Sequence, residues 1–280
     1  MVSSFTSSDP QTQTVEFNVT FPMPNQWDFT FDANTDEQAI QAFNEYNAKF
    51  DNKFTLLPEK AYKFNGKGIS FPKDATSMSL SVTIDASKLS CGEYILPLHL
   101  CNLSNKNFET DTQNDIVLLG VKYVPKKLDL KVSQLSTNSV EDGDGTGLSG
   151  LIDGDLEGTG YFHSKWSAPV QDAVYGNYID LNIGKTLHSL SFDYWTRKQN
   201  GNGAPRFISL FVSDDGSIWR KLQDINKGLP GSGNTKYSSA IFTDEEGFSY
   251  VRFAVLVSAA GDMTNSASYF NLHELTFYGE

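Results

Sequence analysis

Along most of the chain, apolar and polar residues alternate with a period of two. In TVEFNVTF the apolar positions are Val15, Phe17, Val19 and Phe21, and in MSLSVTI they are Met78, Leu80, Val82 and Ile84. The same signature recurs in NYIDLNI (177–183), LHSLSFDYW (187–195), RFISLFVS (206–213), YVRFAVLV (250–257) and NLHELTFYG (271–279). IVLLGVKYV (116–124) is a continuous apolar run of the kind found in buried strands. Gly, Asn, Asp and Pro bound these segments, so each reads as a half-buried or core β-strand. One segment departs from the rule. TDEQAIQAFNEYNAKF places Ile40, Phe43, Tyr46 or Asn47, and Phe50 at helical spacing. Thr35 and Gln38 fit a capping box, and Asp36 and Glu37 suit a helix N-terminus. The spacing predicts one helix at about 36–49, its apolar stripe packed on a sheet.

At VPKKLDL (124–130) a proline and two lysines follow the last strand of the first set, and a new strand begins. The boundary is placed near Pro125. The expected organisation is all-β: two β-sandwiches in tandem, residues 11–125 and residues 126–280. The chain of 280 residues is long enough for both. Met1 precedes the polar VSSFTSSDPQTQT, which reads as a flexible leader, and any export signal would lie outside this chain.

Charge changes the picture only by exclusion. Charged residues make up 20% of the chain and the net charge is −12, whereas binders of nucleic acid or anionic membranes carry a basic field. The acidity is evenly divided: residues 1–125 hold 9 basic and 15 acidic side chains, residues 126–280 hold 13 and 19. Arginine is not: Arg197, Arg206, Arg220 and Arg252 all fall in the second part, which favours that part for recognition of a polar ligand. No apolar run is long enough to span a bilayer. Cys91 and Cys101 bracket GEYILPLHL. If that segment is one strand, its ends stand about 30 Å apart at ~3.3 Å per residue. A disulfide needs Cα atoms within about 7 Å, so two unbridged thiols are expected. His99, opposite in parity to Leu96, Leu98 and Leu100, is placed at a surface or an edge.

Chemistry concentrates in LIDGDLEGTGYFHSKW (151–166), where carboxylates and glycines run directly into an aromatic pair, a histidine and a tryptophan. Calcium takes six to eight oxygens from carboxylates, hydroxyls and carbonyls together, and a short glycine-rich loop can curl around it. Asp153, Asp155 and Thr159 sit on such a loop; the alternative is an Asx-rich turn without metal. The acidic stretches EDGDG (141–145) and TDEEG (243–247) read as solvated turns, and Trp219 reads as core. Glycoside hydrolysis needs two carboxyl groups about 5–9.5 Å apart across a cleft, and no acidic pair outside the loop is flanked by aromatics. G-x-S-x-G, H-E-x-x-H and a phosphate loop are absent from the sequence, so no enzyme is expected.

Residues 131–280 resemble the F5/8 type C, or discoidin-like, family, which includes carbohydrate-binding module family 32. The resemblance rests on LIDGD, FHSKW, YIDLNIG, SFDYWTR, VSDDGSIW and NLHELTFYG in that order. It implies an antiparallel eight-stranded jelly roll and a structural calcium ion held by Asp153, Asp155, Thr159 and Glu274, with the carbonyls of Leu151 and His273. DGDLEGTGYFHS is about two residues longer than the family spacing, which bears on Thr159. It also implies a sugar rim of His163, Arg197 and Asn202. Trp166, Trp195, and Tyr269 or Phe270 are the candidate stacking platforms, Trp195 being equally a core candidate. Arg197 could instead pair with Asp193 or another rim carboxylate. Residues 11–125 resemble domain-of-unknown-function family 1735 of Bacteroidetes surface lipoproteins. The resemblance rests on AIQAFNEYNAKFDNKFTLLPEKAYKF, GISFPKDATSMSLSVTIDASKL and GEYILPLHL. It implies an immunoglobulin-like sandwich.

Together these imply a monomeric, exported, non-catalytic glycan-binding protein of the cell surface or outer membrane, as in polysaccharide utilisation. Its ligand would be of galactose or N-acetylgalactosamine type. Membrane attachment would come only through a lipid anchor outside this chain. The alternative is an adhesion module for protein or lipid, but the tips QNGNGAP and GLPGSGN are small and polar. An accessory domain pair of a glycan-degrading enzyme is the less favoured reading.

Overall fold

The computed structural model describes residues 2–22, 24, 26–112, 114–168, 172, 174–262 and 268–280. The chain divides into two compact units, Met1–Val124 and Pro125–Glu280. Both are built of β-strands, with one α-helix among the described residues, and both form β-sandwiches. No helix among the described residues is long and apolar enough to cross a membrane.

In the first unit the period-two pattern translates directly into pairing. Thr12–Thr20 lies antiparallel to Ser77–Asp85 with Val15 opposite Val82 and Phe17 opposite Leu80, and these four side chains are buried. Tyr62–Lys63 completes this smaller sheet. The larger sheet runs Val2–Thr6, Ile116–Val124, Gly92–Cys101, Phe29–Asn34, Ile69–Phe71. Its first member corrects the expected flexible leader. Val2–Thr6 pairs parallel to Gly120–Val124 and buries Phe5.

The helix is Glu37–Ala48, and its N-cap is Asp36, whose side chain accepts from the amide of Ala39. Thr35, expected to cap, donates its hydroxyl to the carbonyl of Pro97 at 2.8 Å instead. The helix buries Ala39, Phe43 and Asn47. Asn47 then clamps the following turn, bonding both the amide (2.8 Å) and the carbonyl (2.9 Å) of Phe54. Phe50, expected in the stripe, is exposed. The helix packs on strand Gly92–Cys101. That strand is therefore covered on both faces, and residues of both parities from Tyr94 to His99 are buried. This is why His99, expected at a surface or edge, lies inside. Cys91 and Cys101 are not bridged.

The second unit is organised by two long strands, Asn177–Thr196 and Phe242–Ser258, and all its ladders are antiparallel. The expected strands 177–183 and 187–195 are one element, with register shifts between Asn182 and Ser189. Gly184 sits in this irregularity with φ 74°, a conformation that glycine adopts without a steric penalty. The first half of the strand pairs with Phe242–Ser258 and the last with Asn271–Gly279. Residues 243–247, expected as a solvated turn, belong to strand Phe242–Ser258, and Asp244 accepts two bonds from the Arg220 guanidinium (3.0 and 2.8 Å). Pro205–Ser213 and Arg220–Ile225 extend the sheet. The core gathers Phe162, Phe192, Tyr194, Phe253, Phe270 and Phe277 with aliphatic side chains of the same strands.

One ion pair is built into this sheet. Asp180 stands opposite Arg252 in the ladder and accepts its Nε and Nη2 at 2.7 and 2.8 Å. The guanidinium is covered by the rings of Tyr178 (3.8 Å), Trp219 (4.2 Å) and Tyr175 (4.5 Å). Trp219, expected in the core, is half-buried and forms part of this stack. Removing one partner of a buried, hydrogen-bonded pair of this kind costs about 3–5 kcal/mol, because the other charge is left behind.

Because Leu128 packs in the second core and Lys126–Lys127 pairs with Tyr278 and Gly279, a fragment that begins at Pro125 keeps all of this. It is expected to unfold alone in one cooperative transition, read by circular dichroism against temperature. A fragment that aggregates and is rescued only by residues 1–124 would overturn the expectation.

Candidate functional site

The short strand Phe162–His163 pairs with Leu272 and Asn271 of the last strand. Phe162 is buried in the core, and His163, the next residue, is only 2% exposed. Its Nδ1 lies 2.7 Å from the carbonyl of Ser164. A carbonyl only accepts, so Nδ1 carries the proton and Nε2 of the neutral ring is an acceptor. Nε2 faces Asn271 Nδ2 at 3.3 Å. Burial holds His163 below its usual pKa, against the Ser164 carbonyl and Asp144, which pull the other way. The ring is thus a neutral acceptor near pH 7.

Asn271 also donates to Asn202 Oδ1 at 3.3 Å. The loop carrying Asn202 approaches closely because residue 203 is glycine. A Cβ there would stand 2.3 Å from Asn271 Nδ2. Asn202, Asn271 and His163 therefore form one hydrogen-bonded row from the exposed loop to the buried ring. Asn271 is fully buried and its Oδ1 has no donor among the described residues.

Arg197 follows directly on the long strand that ends at Thr196. Its Nη2 donates to the Tyr161 hydroxyl at 2.7 Å, and its guanidinium lies 4.1 Å above the Tyr161 ring. The Tyr161 hydroxyl donates in turn to Asp144, which is 3.8 Å from Arg197 Nη2 and accepts the Trp166 indole N–H at 2.9 Å. Arg197 thus has a rim carboxylate beside it. That carboxylate is Asp144, whereas Asp193 is engaged by Lys236 and Tyr278. Gly145 makes the arrangement possible, with φ 92° and a would-be Cβ 2.4 Å from the Tyr161 carbonyl. Burial raises the Asp144 pKa, but the Tyr161 bond, His163, Trp166 and Arg197 outweigh it, and the carboxyl stays below its usual range.

The EDGDG stretch is therefore not a solvated turn. Glu141 is buried and accepts the amides of Trp166 (2.9 Å) and Ser167 (2.8 Å) and the Ser167 hydroxyl (2.9 Å). Trp166 is held by its backbone and indole N–H, yet the residue is 51% exposed. Tyr269 is half-buried, its ring 5.0 Å from that of His163. Phe270 is core, so of the two aromatics before the last strand Tyr269 is the one beside His163. Residues 263–267 of the loop before them lie outside the described residues. Trp195 stands opposite Glu274 in the ladder, so it shares the face of that carboxylate. Sequence reasoning missed Tyr161, Asp144 and Asn271. Tyr161 adjoins the FHSKW motif and was the most accessible of the three.

In the acidic loop, Asp153, Asp155 and Thr159 are exposed, while Leu151 and Glu274 are buried. Asp153 Oδ1 accepts the Asp155 amide at 2.9 Å. Asp155 Oδ1 accepts the amides of Glu157 and Gly158 at 3.2 and 2.8 Å, an Asx turn. Glu274 Oε2 accepts the Gly154 amide at 3.2 Å. The His273 ring is buried, and neither nitrogen has a partner among the described residues. Burial pushes Glu274 up to about 7, and Asp153 adds to the shift, against the Gly154 bond and Lys127. The charges of Asp153 and Glu274 act on each other, but the oxygens of Asp153, Asp155 and Glu274 are not gathered within 4.8 Å of one another.

A family model described as a "-like, N-terminal domain" matches residues 1–107. No curated protein matches the chain. Among solved structures, a family 32 carbohydrate-binding module from Clostridium perfringens, in complex with GalNAc-β-1,3-galactose, is similar with 19% identity and a TM-score of 0.41. That match covers 55% of this chain and 99% of the module. The family 32 module of NanJ from the same organism, in complex with galactose, is similar with 17% identity and a TM-score of 0.40, covering 55% and 99%. Both align with the C-terminal part. A two-domain protein of unknown function from Bacteroides fragilis is similar with 13% identity and a TM-score of 0.35, covering 95% of this chain and 84% of that one.

The raised pKa of Glu274 has a definite sign. Between the unfolded value near 4.5 and the folded value of about 7, the native state holds a proton that the unfolded state has released. Stability in chelator is therefore expected to fall as pH rises through that window. Glu274→Gln should flatten the slope, as measured by thermal unfolding from pH 4.5 to 7.5. A slope unchanged in the variant would place its origin elsewhere.

Proposed function

We propose that the protein is a non-catalytic glycan-binding protein of the cell surface, and that the rim of the second unit binds galactose or N-acetylgalactosamine residues. The observation that carries this reading is that Asn271 links Asn202 to His163, while Arg197 is held against Tyr161 and Asp144 beside the same imidazole. The guanidinium is pre-oriented by the Tyr161 hydroxyl and its stack on the Tyr161 ring. His163, buried and neutral, holds the Asn271 carboxamide in place through Nε2, and Asn202 presents an exposed carboxamide. Donors and acceptors so placed suit neighbouring hydroxyls of a pyranose, one of them axial, with Tyr269 or Trp166 covering the apolar ring face. Asp144 favours binding over hydrolysis. A general acid needs a raised pKa, and this carboxyl is held low.

A rim that contacts a sugar from one side buries little of it, so binding is expected to be weak, with a Kd of roughly 0.1–1 mM, about 4–5.5 kcal/mol. Arg197→Ala should abolish most of it, since polar partners are then left unpaired in a partly desolvated site. Calorimetry with a panel of galacto- and gluco-configured sugars tests this. Absence of saturable heat with every sugar, or binding unchanged in Arg197→Ala, would refute the site as drawn.

Calcium belongs to the same proposal. Asp153 and Glu274, with Asp155, Thr159 and the carbonyls of Leu151 and His273, would hold the ion, which would neutralise the paired carboxylates and brace the loop. An ion bound only by the folded state stabilises it by mass action. Chelation should therefore lower the melting temperature at pH 7.5, and Asp153→Ala should behave like the chelated protein. Unfolding curves that superimpose with and without calcium would remove the ion from the account.

A further inference from the structure

The first unit holds a cluster of different chemistry. His99 and Cys101 are two residues apart on strand Gly92–Cys101, so their side chains leave the same face. The ladder sets Asn34 opposite His99 and Asp32 opposite Cys101. Just beyond that neighbouring strand comes Asp36. Its Oδ1 is occupied by the Ala39 amide at 3.0 Å, and its Oδ2 lies 2.7 Å from His99 Nδ1. Asn34 Nδ2 donates to the Cys101 sulfur at 3.6 Å. One ligand atom each from Asp36, His99 and Cys101 falls within 4.8 Å of the others, the one such trio of His, Cys, Asp or Glu among the described residues. The far edge of the imidazole faces a buried carboxylate. His99 Nε2 is 3.6 Å from Asp115 Oδ2, and Asp115 is 8% exposed.

We propose that Asp36, His99 and Cys101 bind a divalent transition metal of the zinc type, with one coordination position left to solvent. A thiolate, an imidazole and a carboxylate form a donor set for such ions, and calcium does not take sulfur. Bond lengths of about 2.0–2.3 Å place tetrahedral ligand atoms roughly 3.3–3.7 Å apart. The Asp36–His99 contact must then open by about half an ångström, and the sulfur, within 4.8 Å of both, needs at most about 1 Å of approach. With metal on Nδ1, the Nε2 proton points at Asp115, the second carboxylate that commonly fixes the tautomer and orientation of a metal-bound histidine. Asp36 is 38% exposed at its side chain, which gives the ion a path in.

Cobalt(II) titration of the reduced full chain, in excess calcium to occupy oxygen-only sites, tests the assignment. The expected result is a saturable thiolate-to-cobalt charge-transfer band at one equivalent, with visible ligand-field bands. Cys101→Ser should abolish the charge-transfer band, and Cys91→Ser should keep it. Asp115→Asn should keep the band but weaken cobalt affinity by roughly 10–100-fold. Circular dichroism confirms that each variant is folded. No band in the wild type, or a band that survives in folded Cys101→Ser, would overturn the proposal.

Discussion

The second unit depends on a single strand satisfying several partners at once. Strand Asn177–Thr196 has twenty residues and gives its backbone groups to Phe242–Ser258 at one end and Asn271–Gly279 at the other. A strand that long cannot stay flat under the native twist, and the irregularity around Gly184 lets it change direction. Its near half carries the Asp180–Arg252 pair. Its far half ends one residue before Arg197. The position of the rim arginine is thus set by backbone pairing along the whole strand, and the buried Phe162 sets the position of His163 in the same way.

Carboxylates in this unit show how environment, not residue type, decides the charge state. Asp144 and Glu274 both feel burial as a force against ionisation. Asp144 has a phenol, an indole, a guanidinium and an imidazole around it, and these overcome that force. Glu274 has one amide, a lysine and a second carboxylate, and they do not. The first is suited to holding neighbouring groups in place, and the second leaves charge for something else to neutralise.

Alternation made most strands readable, because one buried face imposes its period on the sequence. Helix Glu37–Ala48 was readable from its own period. What escaped reading depends on partners distant in sequence. Val2–Thr6 buries Phe5, but Ser3, Ser4 and Thr6 hide the alternation, and only pairing with Gly120–Val124 makes it a strand. His99 has the parity of an outward-facing residue and is buried all the same, because the helix covers the second face of its strand. Trp219 looked apolar enough for a core, yet its ring serves the Arg252 charge. Likewise EDGDG carries no sign that Glu141 will meet Trp166 and Ser167, or Asp144 the Tyr161 hydroxyl. The positions of His163, Arg197 and Asn202 were legible through the ordered motifs, but the aromatic and acidic groups that anchor Arg197 were not.

The parallel pairing of Val2–Thr6 with Gly120–Val124 has a mechanical consequence. Tension applied at residue 2 and at Val124 pulls the two strands lengthwise in opposite directions. Their evenly spaced, slanted hydrogen bonds are then loaded together in shear. They cannot open one after another, as the bonds of a hairpin peeled from its end would. The five residue pairs of that register act as a clamp in series with whatever load the second unit carries, and the first unit resists extension before any of its other ladders is stressed.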